Sequence, residues 1–330
     1  DCVLTDNAAT SGGAIFVSPS STLNVVRTLI DTNYAFADGG GIVAVYSTTT
    51  TISDSEISRN RAGNETYSGG ELGGGIAVFS EELNSPSNLI IKRTLIDGNA
   101  APHGGGGGIF YFNVGSGQGV LEIRESRITN NLADDGTIWA VVGPPDPVIS
   151  IGGGGVYADS DGSVLISHST IDNNQAFGRG GGLDLNNTAT MIINTTISSN
   201  EAMEGGGVWA SNAIIKHSTI TLNRAGIRPA VMLTEPSTSG GGGLHIGQFG
   251  AGGTAGTVLN HTIVAGNFHE LDEGNQWLQG WSYYDYPVPD IGFFYAALPP
   301  QDPVILQASY TIVGTTAGPL SQPQNGGIII

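Results

Sequence analysis

An asparagine recurs along this chain at Asn7, Asn33, Asn60, Asn99, Asn131, Asn174, Asn200, Asn223 and, less cleanly, Asn267. In order, the spacings are 26, 27, 39, 32, 43, 26, 23 and 44 residues. A unit of about 25 residues, lengthened in places by insertions on one face of a solenoid, accounts for the short and the long spacings together. Repeats of two helices have longer fixed periods and a 3.6-residue apolar spacing, and neither is present.

Three residues before most of these asparagines stands an aliphatic: Leu4, Ile30, Ile57, Ile96, Ile128, Ile171, Ile197 and Ile220. Two residues earlier stands a small side chain: Thr28, Ser55, Thr94, Ser126, Ser169, Thr195 and Ser218. Positions two apart share one face of a strand, so both columns are expected to point inward. The position between them holds Leu29, Glu56, Leu95, Arg127, Thr170, Thr196 and Thr219, the mixture expected of an outward face. One column further out, Arg27, Asp54, Arg93 and Glu125 alternate in sign before His168, Asn194 and His217. Strands stacked in register about 4.8 Å apart would bring these opposite charges together.

The asparagine ends each strand. It is expected to sit at a tight corner in a left-handed conformation, with its amide bonding the asparagine of the next coil. Runs such as "GGGI" and "GGGV" follow a few residues later, where a corner and close coil-to-coil approach leave no room for a side chain. The 52 glycines are therefore corner devices and lack the every-third spacing of collagen. The pattern predicts an all-β fold, a right-handed parallel β-helix of about nine to ten coils with loop insertions, roughly 45 Å long. Residues 1 to 267 read as the β-helix, 268 to 308 as an aromatic-rich insertion packed on it, and 309 to 330 as a last coil and C-terminal strand.

"SGGAIFV" at 11 to 17, with the later "GGGI" and "I-x-x-N" elements, resembles the polymorphic outer-membrane-protein repeats of bacterial surface proteins, which pair a GGAI element with an F-x-x-N element. Gly12-Gly13-Ala14-Ile15 matches the first element in full, while Ile or Leu replaces the Phe of the second. The resemblance implies a secreted, extracellular or cell-surface protein. It leaves activity open, because such β-helices include adhesins, passenger domains and polysaccharide enzymes.

Composition narrows the partners. Eleven Lys plus Arg against 29 Asp plus Glu give a net charge of -18, so nucleic acid is excluded as a partner. No apolar run approaches the length of a membrane-spanning helix. Cys2 is the single cysteine, which rules out an intrachain disulfide; it falls in the inward small-residue column, where a buried thiol is expected.

Candidate chemistry is sparse. Asp159, Asp161 and Gly162 in "ADSDGS" look like a fragment of a calcium loop without the full twelve-residue pattern, and Asp134 and Asp135 are adjacent in an insertion. These four carboxylates are the candidate metal ligands, calcium being the cation they would take; no other cofactor is expected. Asp184 in "GGGLDLNN" reads as outward and solvated. His217 and His261 fall on consecutive coils, too few imidazoles for zinc. No paired carboxylate columns, nucleophile motif or phosphate loop is visible, so no catalytic residue is assigned and an enzyme is disfavoured. Trp277, Trp281, Tyr283, Tyr284 and Tyr286 form a candidate ligand or partner surface, although a local mini-core is the simpler reading.

The ends suggest assembly. "DCVLTDN" aligns late in a coil, while "QNGGIII" aligns with a corner and first strand and then stops. Asp1, Cys2, Val3 and Leu4 of one molecule are expected to stack on Gly326, Gly327, Ile328, Ile329 and Ile330 of the next. The expected function is an extracellular structural or adhesive rod that assembles head-to-tail into filaments or matrix. The alternative is a β-helix that binds or degrades polysaccharide, with cell-surface polysaccharide as its partner.

Overall fold

The structure, a computed structural model, describes residues 1–63, 71–80, 85–115, 118–133, 152–186, 188–226, 241–246, 256–269, 291–293, 305–309 and 312–313. Among these residues there is no helix. Short strands recur in a cycle of four, and each joins its counterpart one coil away in parallel register. Sheet 1 begins with Cys2–Thr5 and is ten strands deep; sheets 2, 3 and 4 begin with Ala8–Ala9, Ile15–Val17 and Thr22–Val26 and are each nine strands deep. The chain is a parallel β-helix, as its period implies.

The inward columns fall where the alternation places them. In sheet 1, Ile30 pairs with Ile57, Ile57 with Ile96 and Ile96 with Ile128, and the column is fully buried from Ile30 to Ile220. Sheets 3 and 4 each send two further columns inward, including Ile42, Ile76 and Ile109 from one and Ile52, Ile91 and Ile123 from the other, and all merge into a single core. Sheet 2 contributes an alanine column, among them Ala133, Ala176 and Ala202, because its two-residue strands lie in a corner too narrow for a larger side chain. That column shows no charge or size contrast to mark it in the sequence.

The asparagines form an unbroken ladder. From Asn7 to Asn267, each Nδ2 donates to the Oδ1 of the asparagine in the next coil at 2.8–3.0 Å. The same Oδ1 also accepts the preceding asparagine's backbone N–H, as Asn131 Oδ1 does from Asn99. From Asn33 onward, Nδ2 also donates to the aliphatic residue's carbonyl one coil back, as Asn131 does to Ile96. The left-handed conformation belongs to the residue before the asparagine, which corrects the expectation. Thr32, Arg59, Asn130, Asn173, Ser199 and Leu222 have φ between 51° and 58°. The preceding residue absorbs the turn, which leaves the asparagine free to aim its amide along the stack.

A second ladder runs through the small-residue column. Ser126 Oγ donates to the Arg124 carbonyl and accepts the Thr94 backbone N–H, and Ser169 repeats this one coil on. Cys2 stands in this column, paired with Thr28, yet it is exposed, contrary to expectation. Among the described residues its strand pairs on one side only, with Thr28–Asp31.

The glycine triplets have separable roles. Gly39 holds a φ of 67°, and a Cβ on Gly41 would meet the Gly75 carbonyl at 2.8 Å and the Asn60 amide at 3.2 Å. The triplet thus turns the chain and seats it against the asparagine ladder. Within the range read as an insertion, Phe268–His269, Ile291–Phe293 and Ile305–Ser309 continue sheets 2, 3 and 4, so the repeat runs through it.

Candidate functional site

In sheets 1, 2 and 4 most of the strand side chains that point away from the core are half-buried or exposed, but one outward column of sheet 3 is buried. Its strands read "IAVFS", "IFYFN", "VYADS", "LDLN", "VWA" and "LHI". The first residue of each faces the core, so the second faces out. That outward column runs Val43, Ala77, Phe110, Tyr157, Asp184, Trp209 and His245, register neighbours throughout, and every member is buried. A second outward column holds Val45, Phe79, Phe112, Asp159 and Asn186.

The face divides in two. Val43, Ala77, Phe110 and Tyr157 form a second hydrophobic cluster, with Phe79 and Phe112 packed against it. The Phe110 and Tyr157 rings stack at 4.8 Å with an interplanar angle of 4°. Beyond Tyr157 the face becomes charged. Asp184 lies 3.5 Å from the Arg179 guanidinium and accepts from Gly152 N–H and Asn186 Nδ2. Arg179 sits over the Trp209 ring at 4.3 Å, and Trp209 stacks against His245 at 6.3 Å. Arg179 reaches this place from the residue before a glycine triplet, at an isolated bridge to Glu204.

Burial sets the electrostatics. It pushes the Asp184 carboxyl up to about 6, with the Arg179 charge and the two hydrogen bonds pulling the other way. It pushes the His245 imidazole down to about 3, with Arg179 acting in the same direction. Burial first, then the charges of Asp184 and Asp159, raises the Tyr157 hydroxyl. The two ionisable partners of Arg179 are thus displaced in opposite directions by the same loss of water. Asp184, expected to be solvated, is outward from the core yet fully buried, because its neighbours on this face are covered too.

Other predicted residues are scattered. Asp159 is half-buried on the second outward column, while Asp161 is exposed at the strand end and accepts the Gly115 N–H. Asp134, Asp135, Trp277, Trp281, Tyr283, Tyr284, Tyr286 and residues 326 to 330 lie outside the described residues. Among the described residues no group of three or more His, Cys, Asp or Glu is arranged to hold a metal. His217 and His261 do meet, with rings stacked at 4.9 Å. The alternating charges also meet: Asp1 with Arg27, and Asp54 with Arg93 through two hydrogen bonds. A groove of about 660 Å³ runs beside this rail, lined by Val3, Leu29 and Leu95.

The sequence reading overlooked Arg179, Trp209 and His245. The signal was present in "IFYF", "VYA" and "VWA", which do not alternate with polar residues as a solvated outer face would.

A family model described as "Right handed beta helix region" matches residues 1–143. No curated protein matches the chain, and no solved structure does. The family match and the four parallel sheets together define a right-handed parallel β-helix repeat protein with an asparagine ladder. Among the described residues no helix is long and apolar enough to cross a membrane.

Proposed function

We propose that the protein is an extracellular structural and adhesive β-helix that assembles head-to-tail by stacking the strands of one copy on those of the next. One observation carries this reading. The strands of the described coils, from Cys2–Thr5, Ala8–Ala9, Ile15–Val17 and Thr22–Val26 onward, pair in parallel register with those of the next coil in all four sheets, so one coil is a template for another. Val3 and Phe16, in outward columns of the first described coil, are 66% and 55% exposed. Strands of a second copy laid on such a coil would pair in parallel, four at once. Gly326 to Ile330 are the proposed contributors from the other copy. The likeness to polymorphic outer-membrane-protein repeats supports a surface location.

Sedimentation velocity of the 330-residue chain at rising concentration tests this. Linear oligomers should grow with concentration and be lost both in Val3→Lys/Phe16→Lys and on deletion of Ile328 to Ile330. A chain that stays monomeric at every concentration overturns the reading.

A second reading, polysaccharide binding, draws on the outer face of sheet 3. Half-buried Phe79 and Phe112 there adjoin Asp159 and Asn186, the mixture of ring faces and acceptors that sugars engage. Trp277, Trp281, Tyr283, Tyr284 and Tyr286 belong to the same proposal by their composition. Binding on a glycan array that is lost in Phe79→Ala/Phe112→Ala supports it; an array with no signal removes it.

A further inference from the structure

Glu71 stands two residues before the third coil's glycine triplet, is 4% exposed, and among the described residues neither of its carboxylate oxygens has a hydrogen-bond partner. A buried carboxylate without a donor is costly, and native structures rarely retain one without an ion or a shared proton. Its surroundings are fixed on two sides. The carboxyl group lies over Gly63, whose φ is 90° and where a Cβ would come within 2.9 Å of Glu71 Cδ. Gly104 of the next coil packs against the Glu71 backbone, where a Cβ would approach the carbonyl oxygen to 1.9 Å.

A second carboxylate is directed to the same corner. Asp38, one coil earlier, accepts the backbone N–H of Leu72, the residue after Glu71, at 2.9 Å through Oδ1. Burial, and after it the Glu71 charge, raises the Asp38 carboxyl, while the Leu72 N–H lowers it. Arg61, on the strand leading to Gly63, donates through Nε to the Gly63 carbonyl. Among the described residues the corner therefore holds two carboxylates whose four oxygens receive a single N–H donor, with the Arg61 guanidinium bonded to the Gly63 carbonyl instead.

We propose that Asp38 and Glu71 form a site for a hard divalent cation, calcium being the probe of choice, which ties the second coil to the third. One shared proton would neutralise a single carboxyl group and leave the remaining oxygens without donors. A divalent ion engages both carboxylates and completes its shell with water and backbone carbonyls. The chain's net charge of -18 raises the local cation concentration. The site is separate from Asp159 and Asp161, which lie on and after a sheet 3 strand two coils beyond Glu71.

Calorimetric titration of calcium into chelator-treated full-length protein, paired with thermal melts, tests the assignment. Wild-type protein should bind one ion at this site and melt higher with calcium than with chelator. Glu71→Gln and Asp38→Asn should each lose that binding event and the calcium-dependent rise, while Asp159→Asn/Asp161→Asn retains both. Circular dichroism establishes that each variant is folded before titration. Three results overturn the proposal: no binding to the wild-type protein, binding that survives both Glu71→Gln and Asp38→Asn, or a Glu71→Gln protein that melts above the wild type in chelator and calcium alike. The last would mean that Glu71 is simply protonated.

Discussion

Asn131 shows how much one residue carries when its environment repeats. Its Nδ2 donates to Asn174 Oδ1 and the Ile96 carbonyl, and its Oδ1 accepts from Asn99 twice. Asn131→Ala orphans buried groups in the coils on either side, at about 1–3 kcal/mol for each group left unsatisfied. Urea unfolding should show a loss of roughly 3–4 kcal/mol for Asn131→Ala and under about 1 kcal/mol for Asn7→Ala, whose exposed side chain bonds only to Asn33 among the described residues. Equal losses would mean the ladder does not act as a stack. His245 and Asp184 set the pH response. The His245 imidazole is depressed from 6.5 to about 3, so its stabilising contribution is complete above pH 6.5 and is lost as pH falls toward 3. Asp184 is raised from 3.8 to about 6, so its contribution is complete below pH 3.8 and is lost as pH rises through 6. Melting temperatures between pH 7 and pH 4 should therefore fall less steeply in His245→Phe than in wild type, and more steeply in Asp184→Asn. Unchanged slopes in both would show that neither group titrates with folding.

Strands and corners show what a period can and cannot reveal. The isoleucine and asparagine columns were legible because each coil must refill the same place with the same chemistry. Cys2 falls in the inward column yet is exposed, because burial comes from the strands on both sides and, among the described residues, its strand pairs on one. Asp184 was placed on the right face with the wrong solvation, because the cover over sheet 3 obeys no period. The left-handed residue was assigned one position late, since Asn is both a favoured turn residue and a ladder residue and the sequence does not separate the two roles. A further exception lies inside the core. Thr50 and Thr190 stand in an inward column of sheet 4 beside Leu89, Leu121 and Val164, and their hydroxyls have no partner among the described residues. Thr195, by contrast, donates to the Ile193 carbonyl. Thr50→Val and Thr190→Val should each stabilise the fold by roughly 1 kcal/mol, while Thr195→Val should cost about that much. Chemical denaturation that gives all three the same sign would contradict the inward assignment.

At the scale of the molecule, each coil touches only its neighbours, so the rod is nearly one-dimensional and its ends differ from its middle. In-register columns of asparagine, hydroxyl and glycine demand that the next coil repeat them, and a second copy can satisfy that demand as well as a coil of the same chain. End-to-end stacking leads to a definite geometry, with strands perpendicular to the long axis of any assembly and repeating every ~4.8 Å along it. Lateral association of rods through an outer face would leave that repeat misaligned between molecules. X-ray diffraction from aligned assemblies of the 330-residue chain reads this directly. The account predicts long filaments with a sharp meridional reflection near 4.8 Å, and their disappearance in Val3→Lys/Phe16→Lys. Filaments without that reflection, or filaments that survive the double substitution, would contradict end-to-end stacking.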